Sequence, residues 1–200
     1  NNTFKAAEIQ RSLGENEAQI GNRAEAQQWY QKARQGFSSI GNDLETGRTL
    51  VLFQQTDSSR KALSYFGKAL QSKITNREIL GEIEARLDMA RIQIEQKDAA
   101  GALRSLQPCV ELAQTAGSRE QLLAVWGNLA RAHALQGNFN AAYIFSERHQ
   151  HLKDSIFNLE QTRIISEMNA QFDNAALRDS LQQAEIGRNR AELHQKNLLN

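Results

Sequence analysis

Arg91 and Arg131 lie forty residues apart (131−91=40), and Arg48 falls one helical turn from the matching place in the preceding segment. Guanidinium groups recurring at one interval, with Asn128 beside them, have the donors to hold a carboxylate or an extended peptide through charge-assisted, bidentate hydrogen bonds. A second reading uses the same residues: Arg91 and Arg131 pair in water with Asp88, Glu84 or Glu95, each pair contributing under about 1 kcal/mol. Both readings stay open at this level. The candidate ligand-binding set is therefore Arg48, Arg91, Asn128 and Arg131.

Other chemistry-bearing residues are few. Cys109 is the single cysteine, which excludes an internal disulfide and fits either redox compartment; its place among small helix-packing residues reads as a buried, inert thiol. His149 and His151, two apart, point to different faces of a helix and make a poor metal pair. His133 reads as a packing residue, and His194 stands alone. No Ser-His-Asp order, glycine-rich phosphate loop, HExxH or paired-carboxylate arrangement occurs, so no enzymatic activity, metal or cofactor is expected. The acidic residues alternate with Lys, Arg and Gln, which is how a solvated helix face is written.

These residues must be carried by helices. The aromatic content of 6% and the single proline, together with the lack of alternating polar and apolar runs, leave little for strands. A small residue, a bulky one four positions on and another small one three further recur as Ala26/Tyr30/Ala33, Ala62/Phe66/Ala69, Ala102/Leu106/Cys109 and, less well, Ala142/Ser146/His149. The leading alanines are spaced 62−26=36, 102−62=40 and 142−102=40. Such a period marks units too small to bury their own apolar faces, which must stack on neighbours. Turn signals place helix pairs at about 5–20 and 23–38, 43–55 and 59–72, 76–96 and 99–115, with a fourth from 118 that turns at Gln136-Gly137-Asn138. Asp57, Ser58 and Ser59 offer capping oxygens, Gly117 suits a left-handed cap, and Pro108 should bend its helix by removing the hydrogen bond to the Arg104 carbonyl.

In the fourth unit Trp126, Leu129, Ala130 and His133 form one helical stripe ahead of Gly137-Asn138 and Ala142. The first unit has Leu13-Gly14, Gly21-Asn22 and Ala26 at the same relative places. This pattern over residues 7–152 resembles the tetratricopeptide repeat. Leu50 stands where unit two should have a small residue, Gln93 replaces the aromatic of unit three, and Ser146 and His149 depart in unit four. The resemblance implies an all-α solenoid of four helix pairs spanning 5–152, with units at about 7–42, 43–76, 77–116 and 117–152, and a long C-terminal helix over 153–200. It also implies that the first helix of each pair lines the binding side. The groove stripes are then Glu8, Ser12, Glu15 and Gln19; Leu44, Arg48, Val51 and Gln55; Glu84, Asp88, Arg91 and Glu95; and Ala124, Asn128, Arg131 and Leu135.

The passage Lys153-Asp154-Ser155-Ile156-Phe157-Asn158, followed by a long charged helix, is similar to the end of the repeat-bearing sensor regions of bacterial membrane-bound histidine kinases and GGDEF diguanylate cyclases. That likeness implies an extracytoplasmic, periplasmic sensor, cut before a membrane segment beyond Asn200, that binds a protein or peptide and relays through its last helix. A cytoplasmic adaptor recruiting partners, or a purely structural oligomerisation element, are the alternatives. As one helix, 153–200 would extend about 70 Å. Ile165, Met168, Phe172 and Ala175, then Leu177, Leu181, Ala184 and Arg188, form a broken heptad that suits either pairing with a second copy or covering the end of its own repeats. The chain opens Asn-Asn, without an initiator Met, and is expected to be a piece of something longer. The net charge of +1 gives no general attraction to nucleic acid or anionic lipid. The longest uncharged stretch, Ala132 to Ser146, holds Gly137 and Asn138 and is a turn between helices, not a membrane span.

Overall fold

The computed structural model describes residues 2–53 and 58–198, with side chains through Gln182 except Ala176 and Ser180. The described chain is all-helical: α1 (Asn2–Gln19), α2 (Arg23–Ser39), α3 (Asp43–Leu52), α4 (Ser58–Thr75), α5 (Ile79–Glu95), α6 (Ala99–Leu106), α7 (Cys109–Thr115), α8 (Arg119–Leu135) and α9 (Phe139–Leu198). It divides into two compact units, Asn1–Leu152 and Lys153–Asn200. None of the described helices is long and apolar enough to cross a membrane.

Among the described residues one turn is used six times. Gly21, Gly41, Arg77, Lys97, Gly117 and Gly137 all have positive φ. At each, its own amide bonds the carbonyl three residues back, and the next amide bonds the carbonyl five back, as in Gly41 N to Ser38 O at 3.1 Å and Asn42 N to Phe37 O at 3.0 Å. This is the Schellman closure. The residue after the left-handed one then starts the next helix: Asn42, Asp98, Ser118 and Asn138 each accept a bond from the amide three residues on. A helix thus ends and the next begins within three residues, and four of the five intervals between left-handed positions are twenty (41−21, 97−77, 117−97, 137−117), the other being 77−41=36. The third pair was expected to start at Asn76, but that residue and Arg77 are consumed in the closure and α5 begins at Ile79. The expected end of the third helix at Gln55 and the capping by Asp57 fall outside the described residues.

Each helix of the first unit packs on the next in sequence, from α1 on α2 through α5 on α6, and α8 packs on α5, α6 and α7. The small-bulky-small triads of the first three units form this interior: Ala33, Ala62, Ala102, Leu106 and Cys109 are fully buried, and Ala26, Tyr30, Phe66 and Ala69 nearly so. Each such aromatic contributes about 1.5–3 kcal/mol by leaving water. In the fourth unit Ala142 and His149 are only half-buried and Ser146 is exposed.

Two expectations of register are corrected. A β-carbon on Gly47 would lie 2.6 Å from the Phe66 ring, so Gly47, and not position 50, is the small residue of unit two; Leu50 itself is buried beside Ala62 and Phe66. Unit one keeps the expected residue, since Gly14 meets Tyr30 at the same separation. In α8 the buried stripe is Val125, Asn128, Leu129 and Ala132, one residue off the expected Trp126, Leu129, Ala130 and His133. Trp126 packs half-buried against that core. The aromatic missing from unit three is replaced by a polar contact, Gln93 to the buried Ser105 hydroxyl at 2.8 Å.

Pro108 interrupts its helix between Leu106 and Cys109, while Gln107 and Pro108 keep right-handed helical dihedrals. Beyond Leu152 the remainder of α9 forms the second unit, with Arg163 bridging Glu160 and Glu167 at 2.6 and 2.8 Å. Ile165, Met168 and Phe172 are exposed there.

Candidate functional site

Helices α1, α3 and α5 bring charged side chains together. Arg11 of α1 pairs with Glu45 of α3. Glu45 also accepts from Arg48 Nη1 at 2.7 Å, while Arg48 Nε donates to Asp88 of α5 at 2.6 Å and its Nη2 to Glu84 at 3.2 Å. Arg91 Nη1 completes the row on the other oxygen of Asp88 at 2.9 Å. The result is an alternating ladder, Arg11, Glu45, Arg48, Asp88, Arg91, that ties α1, α3 and α5 through side chains.

Burial grades the ladder. Asp88 is 5% exposed and Arg91 53%, so the centre is structural and the end is open to solvent. Burial works against the Arg48 charge, but Asp88 and Glu45 more than offset it and hold the guanidinium more firmly protonated than usual. Burial also pushes the Asp88 carboxyl up, with Arg48 and Arg91 pulling it back. A buried carboxylate without both guanidiniums would be costly.

Beside the ladder opens a cleft of about 340 Å³. Its floor is Val51, Leu52, Phe66 and Ile92; Arg11, Glu15, Arg91 and Glu95 stand among its polar walls. An apolar floor with convergent charged groups is the usual makeup of a binding site.

Asn128 and Arg131 are elsewhere. They line a separate cleft of about 440 Å³ with Ala124, Gly127, Ser146 and His149. Asn128 is 8% exposed; its Nδ2 donates to Ala124 O at 2.8 Å, and its Oδ1 is buried without a partner. Arg131 is exposed. His149 Nδ1 lies 3.0 Å from Leu123 O, and its ring covers Gly127.

The four candidate residues are thus divided between two clefts. Arg48 is engaged with three carboxylates, and Arg91 pairs with Asp88. Arg11 and Glu45 were missed by the sequence reading. The stripe drawn on α1 ran through Ser12, one residue off, although Arg11 precedes Arg48 by nearly one repeat (48−11=37); that interval was the available signal. Cys109 is fully buried and its thiol donates to Ser105 O at 3.5 Å. His194 lies outside the described side chains. No protein-family model and no curated protein matches the chain.

Proposed function

We propose that residues 5–152 are a tetratricopeptide-like solenoid of four helix pairs that binds a protein or peptide, and that the chain is the sensor module of a bacterial membrane-bound signalling protein. The observation that carries the reading is the charged ladder crossing α1, α3 and α5 beside an apolar cleft. A partner seated across three pairs makes contacts that depend on their mutual packing, so binding and pair geometry are coupled. In this reading Arg91 and Arg131 meet the partner, Asn128 supports its backbone, and Arg48 is the strut that holds Asp88. The long helix from Lys153 relays the change and pairs with a second copy, which its exposed Ile165, Met168 and Phe172 support. The compartment proposed is the extracytoplasmic side of a bacterial membrane.

Selection of a random peptide library displayed on phage against the purified chain tests the binding. The expected result is a family of peptides whose affinity falls in the variant carrying Arg91→Ala and Arg131→Ala, with helicity by circular dichroism unchanged. Unaltered affinity in that variant, or no enriched peptide, overturns the reading.

A further inference from the structure

A third cleft, remote from the ladder, opens where Pro108 divides α6 from α7. It measures about 360 Å³ and is an open cleft lined from α6, α7, α8 and the first turns of α9, with Leu103, Val110, Leu129 and Phe145 as its apolar lining. That is the small end of the range for ligand pockets, about 300–1,000 Å³. The polar groups among its lining residues are Arg104, Gln107 and His133, with no carboxylate. Arg104 is exposed and has no acidic partner among the described residues. The His133 ring stacks on Phe145 at 5.5 Å with 4° between planes, and its Nδ1 is buried without a hydrogen-bond partner. Arg148 lies 5.6 Å from the centroid of that same Phe145 ring.

Charge and shape therefore select one ligand class. The cleft offers an aromatic and aliphatic slot with an unpaired guanidinium in its lining, in contrast to the ladder, where every arginine meets a carboxylate. We infer that this cleft binds a small amphipathic carboxylate, its apolar body between Val110, Leu129 and Phe145 and its anionic end on Arg104 through bidentate hydrogen bonds. The inference is independent of peptide binding at the other clefts.

Titration of the whole chain with 1-naphthoate and with its cationic counterpart, 1-naphthylmethylammonium, followed by amide chemical shifts in NMR, tests it. Naphthoate should shift the amides of Leu103, Val110 and Leu129 and bind about tenfold or more tightly than the cation, since a guanidinium attracts one and repels the other. Arg104→Glu should invert that preference. Val110→Trp should fill the slot and abolish both; circular dichroism reports whether it keeps its helix, and the exposed Arg104→Glu carries the test if it does not. Equal affinity for the two probes, an unchanged preference in Arg104→Glu, or no saturable binding of naphthoate overturns the inference.

Discussion

Phe66 rests on the bare backbone of Gly47, so closely that a β-carbon there would meet the ring at 2.6 Å. Phe66 is 1% exposed, and its ring would have to shift to admit a methyl group. Two effects oppose each other in Gly47→Ala: helix propensity favours alanine by about 1 kcal/mol, and overpacking costs about 1–3 kcal/mol. Overpacking wins, and denaturant unfolding should show a net loss of up to about 2 kcal/mol. Gly67, inside α4 with nothing within 4 Å of an added β-carbon, is the control: Gly67→Ala should gain about 0.5–1 kcal/mol. A stabilised Gly47→Ala would refute the packing assigned to this pair.

The ladder predicts unequal arginines. Arg48→Ala leaves the buried Asp88 with only Arg91, and should cost about 1–3 kcal/mol, discounted from the value for a fully buried pair because Arg48 is itself 32% exposed. Arg91→Ala, at the solvent end, should cost under about 1 kcal/mol. Parallel urea titrations of the two variants measure this, and equal losses would contradict the grading.

The buried thiol sets a pH dependence. Burial pushes Cys109 up from 9.0 to about 12. The folded thiol keeps its proton where the unfolded one has lost it, so the contribution is complete below about pH 9 and is lost between pH 9 and 12, at about 1.4 kcal/mol per pH unit. The stability advantage over Cys109→Ala should therefore shrink by about 2 kcal/mol between pH of about 8 and about 10.5. An advantage independent of pH would contradict the burial. The folded chain should likewise resist alkylation at this residue at neutral pH.

Arg77 and Lys97 occupy left-handed positions that glycine holds at the four equivalent turns. A side chain there costs about 1–2 kcal/mol, partly recovered because glycine loses more entropy on folding. Lys97→Gly should raise stability by about 0.5–1 kcal/mol and Tm by about 1–4 °C, as calorimetry would show.

The sequence by itself determined the helical class, the positions of most turns and the buried triads, because these follow from local chemistry: Gly41, Gly117 and Gly137 close helices, Asn42, Ser118 and Asn138 open them, and Ala62, Phe66 and Ala69 share one face. It did not reveal that Arg77 and Lys97 would do the work of glycine, since a long side chain carries no sign of positive φ. Nor did it reveal that Gly47 and not position 50 faces Phe66, or that α8 buries Asn128. One residue of slip along a helix turns a side chain by about 100°, and only the contact between helices fixes that rotation. Tertiary structure alone therefore decided which arginines stand together: Arg11, Arg48 and Arg91 are joined by Glu45 and Asp88, while Arg131, equivalent to Arg91 by repeat spacing, belongs to another cleft.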